Sequence, residues 1–161
     1  MPLKSRHLYF GYGNNSNPMV MAQRLPKAEF VGLGYALDWA LTFAKPTLDG
    51  WAAATIQPSP SIVWGALWQI EEDDFKILDK IETGYYKGKI EVFSRSHDCF
   101  MNAVTYFARS LNPYILPSAE YITNIQAGMK EMRAPTQYQD GLYRLPFMTV
   151  TNKKKISPVN F

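Results

Sequence analysis

The chain is poor in the residues that build metal and disulfide sites. Among its 161 residues there is one cysteine, Cys99, and there are two histidines, His7 and His97. One thiol makes no internal disulfide, and zinc needs clustered nitrogen and sulfur ligands, so no bound metal is expected. Charge is scarce as well. Asp, Glu, Lys and Arg make up 19% of the chain, against about 25% in typical soluble domains. The net charge of +3 is too small for the basic face of a nucleic-acid binder, and part of it lies in Lys153-Lys154-Lys155. No nucleic-acid partner is expected. The longest uncharged stretch, residues 50–70, contains Pro58-Ser59-Pro60-Ser61. It reads as two strands around a turn, not as a membrane span, so no membrane partner is expected either. Residues 1–7 lack the apolar region of a signal peptide, and a cytoplasmic location is expected. There is no Gly-x-Ser-x-Gly elbow for a serine hydrolase.

Apolar residues are plentiful. They make up 47% of the chain and include 9 Phe, 4 Trp and 10 Tyr, enough for a dense core or a lined pocket. Neither a repeat nor an internal linker is visible. One domain over residues 1–150 is expected, followed by a polar, basic tail over 151–161. Strand patterns cover residues 7–12, 28–43 (bent at Gly32 and Gly34), 51–57, 62–70, 86–96 and 100–108. Between them lie a short helix starting at Asn17-Pro18 and a helix over 71–82 carrying Phe75, Leu78 and Ile81. A longer helix over 118–133 carries Ile122, Ile125, Met129 and Met132, and Pro135 ends it. A last helix is expected over 136–145. Strands first and helices last argue for an α+β fold, its antiparallel or mixed sheet curled around an aromatic core.

Three features bear on chemistry. Gly11-Tyr12-Gly13-Asn14-Asn15-Ser16 resembles the start of a dinucleotide fingerprint, but the third glycine is missing and no strand–helix–strand unit follows. NAD is therefore discounted. A strand entering a Gly- and Asn-rich turn at a helix start still presents backbone N–H groups to an oxyanion or carboxylate. A plain turn fits the same composition. Glu82 lies four residues after Leu78, at the edge of the apolar stripe. A carboxylate there, against aromatic strands, has the setting of a proton shuttle with raised pKa. The bland alternative is a solvated Glu82 paired with Lys80 or Lys87, with Asp79 nearby. Tyr85, Tyr86, Tyr106 and Tyr121 serve equally as core residues or as donors to a polar ligand. His97 and Cys99 read as a surface histidine near a buried thiol.

Taken together, these segments resemble the gamma-glutamylcyclotransferase family. Leu8-Tyr9-Phe10-Gly11-Tyr12-Gly13-Asn14-Asn15 is similar to its strand and Tyr-Gly-Ser-Asn loop. Val63-Trp64-Gly65-Ala66-Leu67-Trp68 is similar to its central Trp-Gly strand. Leu78-Asp79-Lys80-Ile81-Glu82, with Tyr86 downstream, resembles its Leu-Asp-x-x-Glu helix end. Pro117-Ser118-Ala119-Glu120-Tyr121, Gly128-Met129-Lys130, Pro135 and Tyr138 continue the match, which spans about residues 8–145. The resemblance implies a small β-barrel flanked by helices, often a homodimer. It implies a small-molecule gamma-glutamyl substrate whose α-amine attacks its own γ-carbonyl, releasing 5-oxoproline and an amine, with no metal or cofactor. Glu82 is the implied catalytic residue. Gly11, Tyr12, Gly13, Asn14, Asn15, Tyr86, Tyr106 and Tyr121 are the implied substrate-binding residues. Asn14 replaces the usual loop Ser, which points to an altered substrate preference. A non-catalytic binding or interaction protein on the same fold is the alternative. The two part on whether Glu82 faces a closed pocket shared with the Gly13 loop.

Overall fold

The computed structural model describes residues 4–147. The basic 151–161 segment lies outside them. Five strands carry the fold: β1 (Arg6–Gly11), β2 (Glu29–Pro46), β3 (Ala52–Glu71), β4 (Tyr85–Ser94) and β5 (Cys99–Ala108). Four helices flank them: α1 (Pro18–Arg24), α2 (Asp74–Ile81), α3 (Ala119–Glu131) and α4 (Thr136–Tyr143). The strands run β1-β3-β2-β4-β5 around a closed barrel. Neighbours are antiparallel until β5 meets β1 in parallel, with Tyr9 opposite Val104. The expected α+β barrel is therefore present. Among the described residues, no helix is long and apolar enough to cross a membrane.

Alternation along the strands divides the apolar residues between two cores. Phe10, Val63, Leu67, Val92 and Ala103 fill the barrel, where Ile125 and Met129 of α3 join them. Tyr9, Trp68, Ile70 and Tyr106 point the other way and join Met21, Leu25, Phe75 and Leu78, which seat α1 and α2 on the outer wall. Asn17 caps α1 as expected, and Ser118 caps α3 at the expected helix start. Asn17 Oδ1 accepts the Met19 amide at 2.9 Å ahead of Pro18, and Ser118 Oγ accepts the Tyr121 amide at 3.1 Å.

Three expectations need correction. The Pro58–Ser61 segment does not separate two strands, because β3 runs through it. Leu37 pairs with Ile62 and Trp39 with Pro58, so Asp38 alone stands opposite three residues. Pro60 falls in that break of the ladder, where its missing N–H costs no hydrogen bond. Cys99 is exposed rather than buried, since it opens β5 beside the hairpin that follows Ser94. Ile81 is 38% exposed, so the buried stripe of α2 ends at Leu78.

Candidate active site

The loop after β1 is held from three sides. A Cβ on Gly11 would fall 2.6 Å from the Asn15 carbonyl oxygen, so the chain folds back on its own strand only without a side chain at position 11. The Trp68 indole N–H donates to that same carbonyl at 2.9 Å. From α3, Gly128 brings its helix against Ser16, whose carbonyl oxygen would lie 2.8 Å from an added Cβ. Asn17 also donates to the Asn124 carbonyl at 2.9 Å. So pinned, residues 14–16 form one 3-10 turn closed by Ser16 N–H to Gly13 C=O at 3.0 Å. The amides heading such a turn have no partner within it.

Glu82 faces this loop from the end of α2. As C-cap it bonds its own N–H to the Leu78 carbonyl at 2.7 Å, and its side chain is 17% exposed. Its Oε1 accepts from Asn15 Nδ2 at 3.1 Å, and the second hydrogen of that amide goes to the Tyr9 hydroxyl at 2.8 Å. Arg24 donates to Asn15 Oδ1 at 2.8 Å, which fixes the amide's orientation because a guanidinium only donates. Arg24 itself lies 3.9 Å from Glu82. Burial pushes the Glu82 carboxyl above the usual glutamate range, against the opposing pull of Arg24, Lys45 and Asn15. This is the environment of a group that can both take and return a proton.

The tyrosines complete a pocket of about 400 Å³. The Tyr121 hydroxyl accepts the Ala54 amide at 3.0 Å, and the Asn14 backbone also bonds to it. Burial pushes its pKa up to about 12, and those two hydrogen bonds hold it back. Since both backbone groups are donors, its own O–H is available to a ligand. Tyr85 donates to the Ala54 carbonyl at 2.7 Å. Tyr106 is buried and donates to Asp79 at 2.6 Å, and its carbonyl accepts from the Tyr12 hydroxyl. Asn14 lines the same space, and its Oδ1 is buried with no hydrogen-bond partner. Such an orphan acceptor is costly unless a ligand serves it.

Of the residues named from sequence, Tyr12, Gly13, Asn14, Asn15, Glu82, Tyr106 and Tyr121 line this one pocket. Gly11 stands behind the loop rather than at its surface. Tyr86 is the clear misplacement. It is 46% exposed and stacks on Phe107, with ring centroids 5.4 Å apart. Adjacent strand residues face opposite ways, and it is Tyr85 that turns inward. Tyr9, Arg24 and Lys45 also line the pocket but were not among the candidates. For Arg24 a signal existed: helix side chains lean toward the N-terminus, so the last residue of α1 reaches back over the loop.

Residues 62–142 match the model of the AIG2-like family. The chain is 32% identical to a Bos taurus protein named gamma-glutamylcyclotransferase over 146 residues, covering 84% of this chain and 76% of that one. To the Homo sapiens protein of the same name it is 29% identical over 150 residues, covering 88% and 79%. A solved structure named gamma-glutamyl cyclotransferase superposes with a TM-score of 0.81 at 25% identity, covering 94% of this chain and 98% of the other.

Proposed function

Because the chain belongs to the gamma-glutamylcyclotransferase family, with its AIG2-like signature, we propose that it cleaves a gamma-glutamyl amide by intramolecular cyclisation. The substrate's α-amine is the nucleophile and its γ-carbonyl carbon the target. Glu82, ionised, takes a proton from the α-ammonium. The freed amine attacks and closes a five-membered ring. The carbonyl oxygen becomes an oxyanion, for which the Tyr121 O–H and the loop amides beside Asn14, whose own N–H is held by Tyr121, serve as donors. Glu82 then returns its proton to the leaving nitrogen, the C–N bond breaks, and the ring nitrogen sheds a second proton to the departing amine. The products are 5-oxoproline and an ammonium. Protons move but no water is consumed, and Glu82 carries the first proton from the α-ammonium to the leaving nitrogen. The orphan Asn14 Oδ1 suits a substrate N–H, in place of the hydroxyl that the family loop usually carries.

The observation that carries the reading is the contact between Glu82 and Asn15: a desolvated carboxylate 3.1 Å from the loop that presents the amides. A cytoplasmic homodimer is part of the same proposal. The test is incubation with gamma-glutamyl compounds and measurement of 5-oxoproline. N-acetylating the substrate should abolish turnover, because it removes the nucleophile while keeping the scissile amide. Release of glutamate, or cleavage of the acetylated compound at a similar rate, would mark an ordinary amidase and end the cyclisation mechanism.

A further inference from the structure

We propose that Arg24 is a positioning residue of the cyclisation: its guanidinium sets the donor direction of a hydrogen-bonded row, Asn15 to Glu82 and Asn15 to Tyr9, and so holds the base in place for proton transfer. The inference rests on the cyclotransferase reading above and adds to it a residue that acts through its neighbours. Arg24 ends α1, which Met21 and Leu25 seat in the outer-wall core, and the Leu25 N–H closes that helix on the Met21 carbonyl at 2.7 Å. A cation in the last turn ordinarily serves its own helix's carbonyls. Arg24 instead turns back nine residues along the chain and donates to the side-chain oxygen of Asn15, which is buried, at 2.8 Å.

The two ends of an amide have nearly the same shape, so its neighbours decide which way it faces. With Arg24 on Oδ1, the Nδ2 hydrogens go to Glu82 Oε1 at 3.1 Å and to the Tyr9 oxygen at 2.8 Å. Turned over, the amide would set its oxygen against the Glu82 carboxylate. The Tyr9 oxygen accepts in this row, so its own hydrogen is left for the pocket that Tyr9 lines. At Glu82 the Asn15 amide and Arg24, 3.9 Å away, converge on the same oxygen, Oε1. Oε2 is left to exchange the proton. Among the described residues, two positive charges act on Glu82, Arg24 from α1 and Lys45 from β2; both draw its pKa down against burial, Arg24 the more strongly. Tyr9, Tyr12, Tyr85, Tyr106 and Tyr121 also feel its charge, but burial raises the pKa of each phenol, so all stay neutral. Asp79, on the same helix, is turned to Tyr106 and Lys87, and Asp49 on the pocket wall is exposed and screened. Loss of Arg24 therefore removes both the anchor of the amide and the stronger of the two opposing charges.

The experiment is the pH profile of wild type, Arg24→Met and Arg24→Lys on one gamma-glutamyl substrate, with 5-oxoproline measured and thermal melting to confirm folding. Hydrogen bonds to charged groups set the scale: kcat of Arg24→Met should fall about 10–100-fold at neutral pH, with KM changed about threefold or less. Its acid limb should move to higher pH, since Glu82 loses a charge that helps it ionise, and the deficit should narrow as pH rises. Arg24→Lys keeps the charge and a donor but not the planar fork, so it should return the limb close to its wild-type position and recover part of kcat. A packing role alone would lower activity by the same factor at every pH with the limb unmoved, and that result overturns the proposal. So does near wild-type turnover in Arg24→Met, or a loss carried by KM, which would mean that the guanidinium binds substrate itself. If Arg24→Met does not fold, Arg24→Gln takes its place, and a limb in that variant coincident with that of Arg24→Lys overturns the proposal. Each of these outcomes leaves the cyclotransferase standing. Failure of the wild type to yield 5-oxoproline from any gamma-glutamyl compound overturns both readings.

Discussion

Asp79 and Glu82 stand three residues apart at the end of α2, and the barrel rim treats them in opposite ways. Asp79 is 46% exposed, and it accepts from Lys87 at 3.1 Å and from the Tyr106 hydroxyl at 2.6 Å. Burial acts upward on its pKa, but those hydrogen bonds and the Lys87 charge outweigh it and hold the carboxyl below its usual range. Glu82 is 17% exposed, its nearest cation is 3.9 Å away, and burial prevails. One carboxylate is locked in its ionised form as a brace for Tyr106. The other has its ionised form disfavoured by burial. The helix supplies both acids; the strand or loop that faces each one decides which can carry a proton.

The largest test of that contrast is Glu82→Gln, which keeps shape and hydrogen bonding but cannot shuttle a proton. Activity should fall by about 10²–10⁴-fold in kcat. The sign for stability runs the other way. A carboxyl whose folded pKa is raised contributes stability at low pH, and that contribution is lost as pH rises through the folded value. At neutral pH the Gln variant should therefore melt at the wild-type temperature or above it, with any advantage fading as pH drops toward 4.5, the ordinary glutamate value. The wild-type kcat/KM profile should show its acid limb above that same value. Near-normal turnover in a folded Glu82→Gln protein would remove Glu82 from the mechanism.

Much of this was legible in the chain. Asn17 read as a cap and Ser118 as a helix start because short polar residues before a helical period favour helix ends. The Gly13 loop and Glu82 could be named as candidates from local patterns, a strand–turn–helix start and an acid at the edge of an apolar stripe, but their meeting was expected only because the family resemblance implies it. What was hidden depended on partners far along the chain. Tyr85-Tyr86 gives no sign of which ring turns inward, since both suit a strand. Register settles it: Tyr86 is set opposite Phe107, on which its ring stacks, and the Tyr85 hydroxyl reaches Ala54. Likewise the prolines near residue 60 look like a turn until β2 is seen to run beside them.

The tyrosine pair gives the next test. Tyr85→Phe strips the Ala54 carbonyl of its donor and should cost about 1–3 kcal/mol of stability, with a loss of activity. Tyr86→Phe should stay within about 0.5 kcal/mol, because its hydroxyl end is on the exposed side of the sheet. Chemical denaturation of both variants gives the comparison directly. Equal effects would mean that the inward and outward assignments are wrong.

Asp79→Asn should have the smallest effect. The Asn Oδ1 can still accept from Tyr106, so the brace survives, while Lys87 loses an exposed partner. Exposed ion pairs are worth about 0.2–1 kcal/mol, and salt screens them, so the change in melting should be slight and should shrink further at high ionic strength. Its pH dependence is fixed in sign. A carboxyl whose folded pKa is lowered contributes stability above its unfolded value and loses it as pH falls through the folded one. Wild type should therefore stand above the variant at neutral pH and converge with it in acid, opposite in sign to the Glu82 pair, in which the Gln variant stands level with wild type or above it. Turnover should fall far less than the roughly 10² expected at minimum for Glu82→Gln, since Asp79 transfers no proton and does not line the pocket. A loss in kcat comparable to that of Glu82→Gln, with melting unchanged, would show that the Tyr106–Asp79 pair takes part in proton transfer. The division of labour between the two carboxylates would then have to be redrawn.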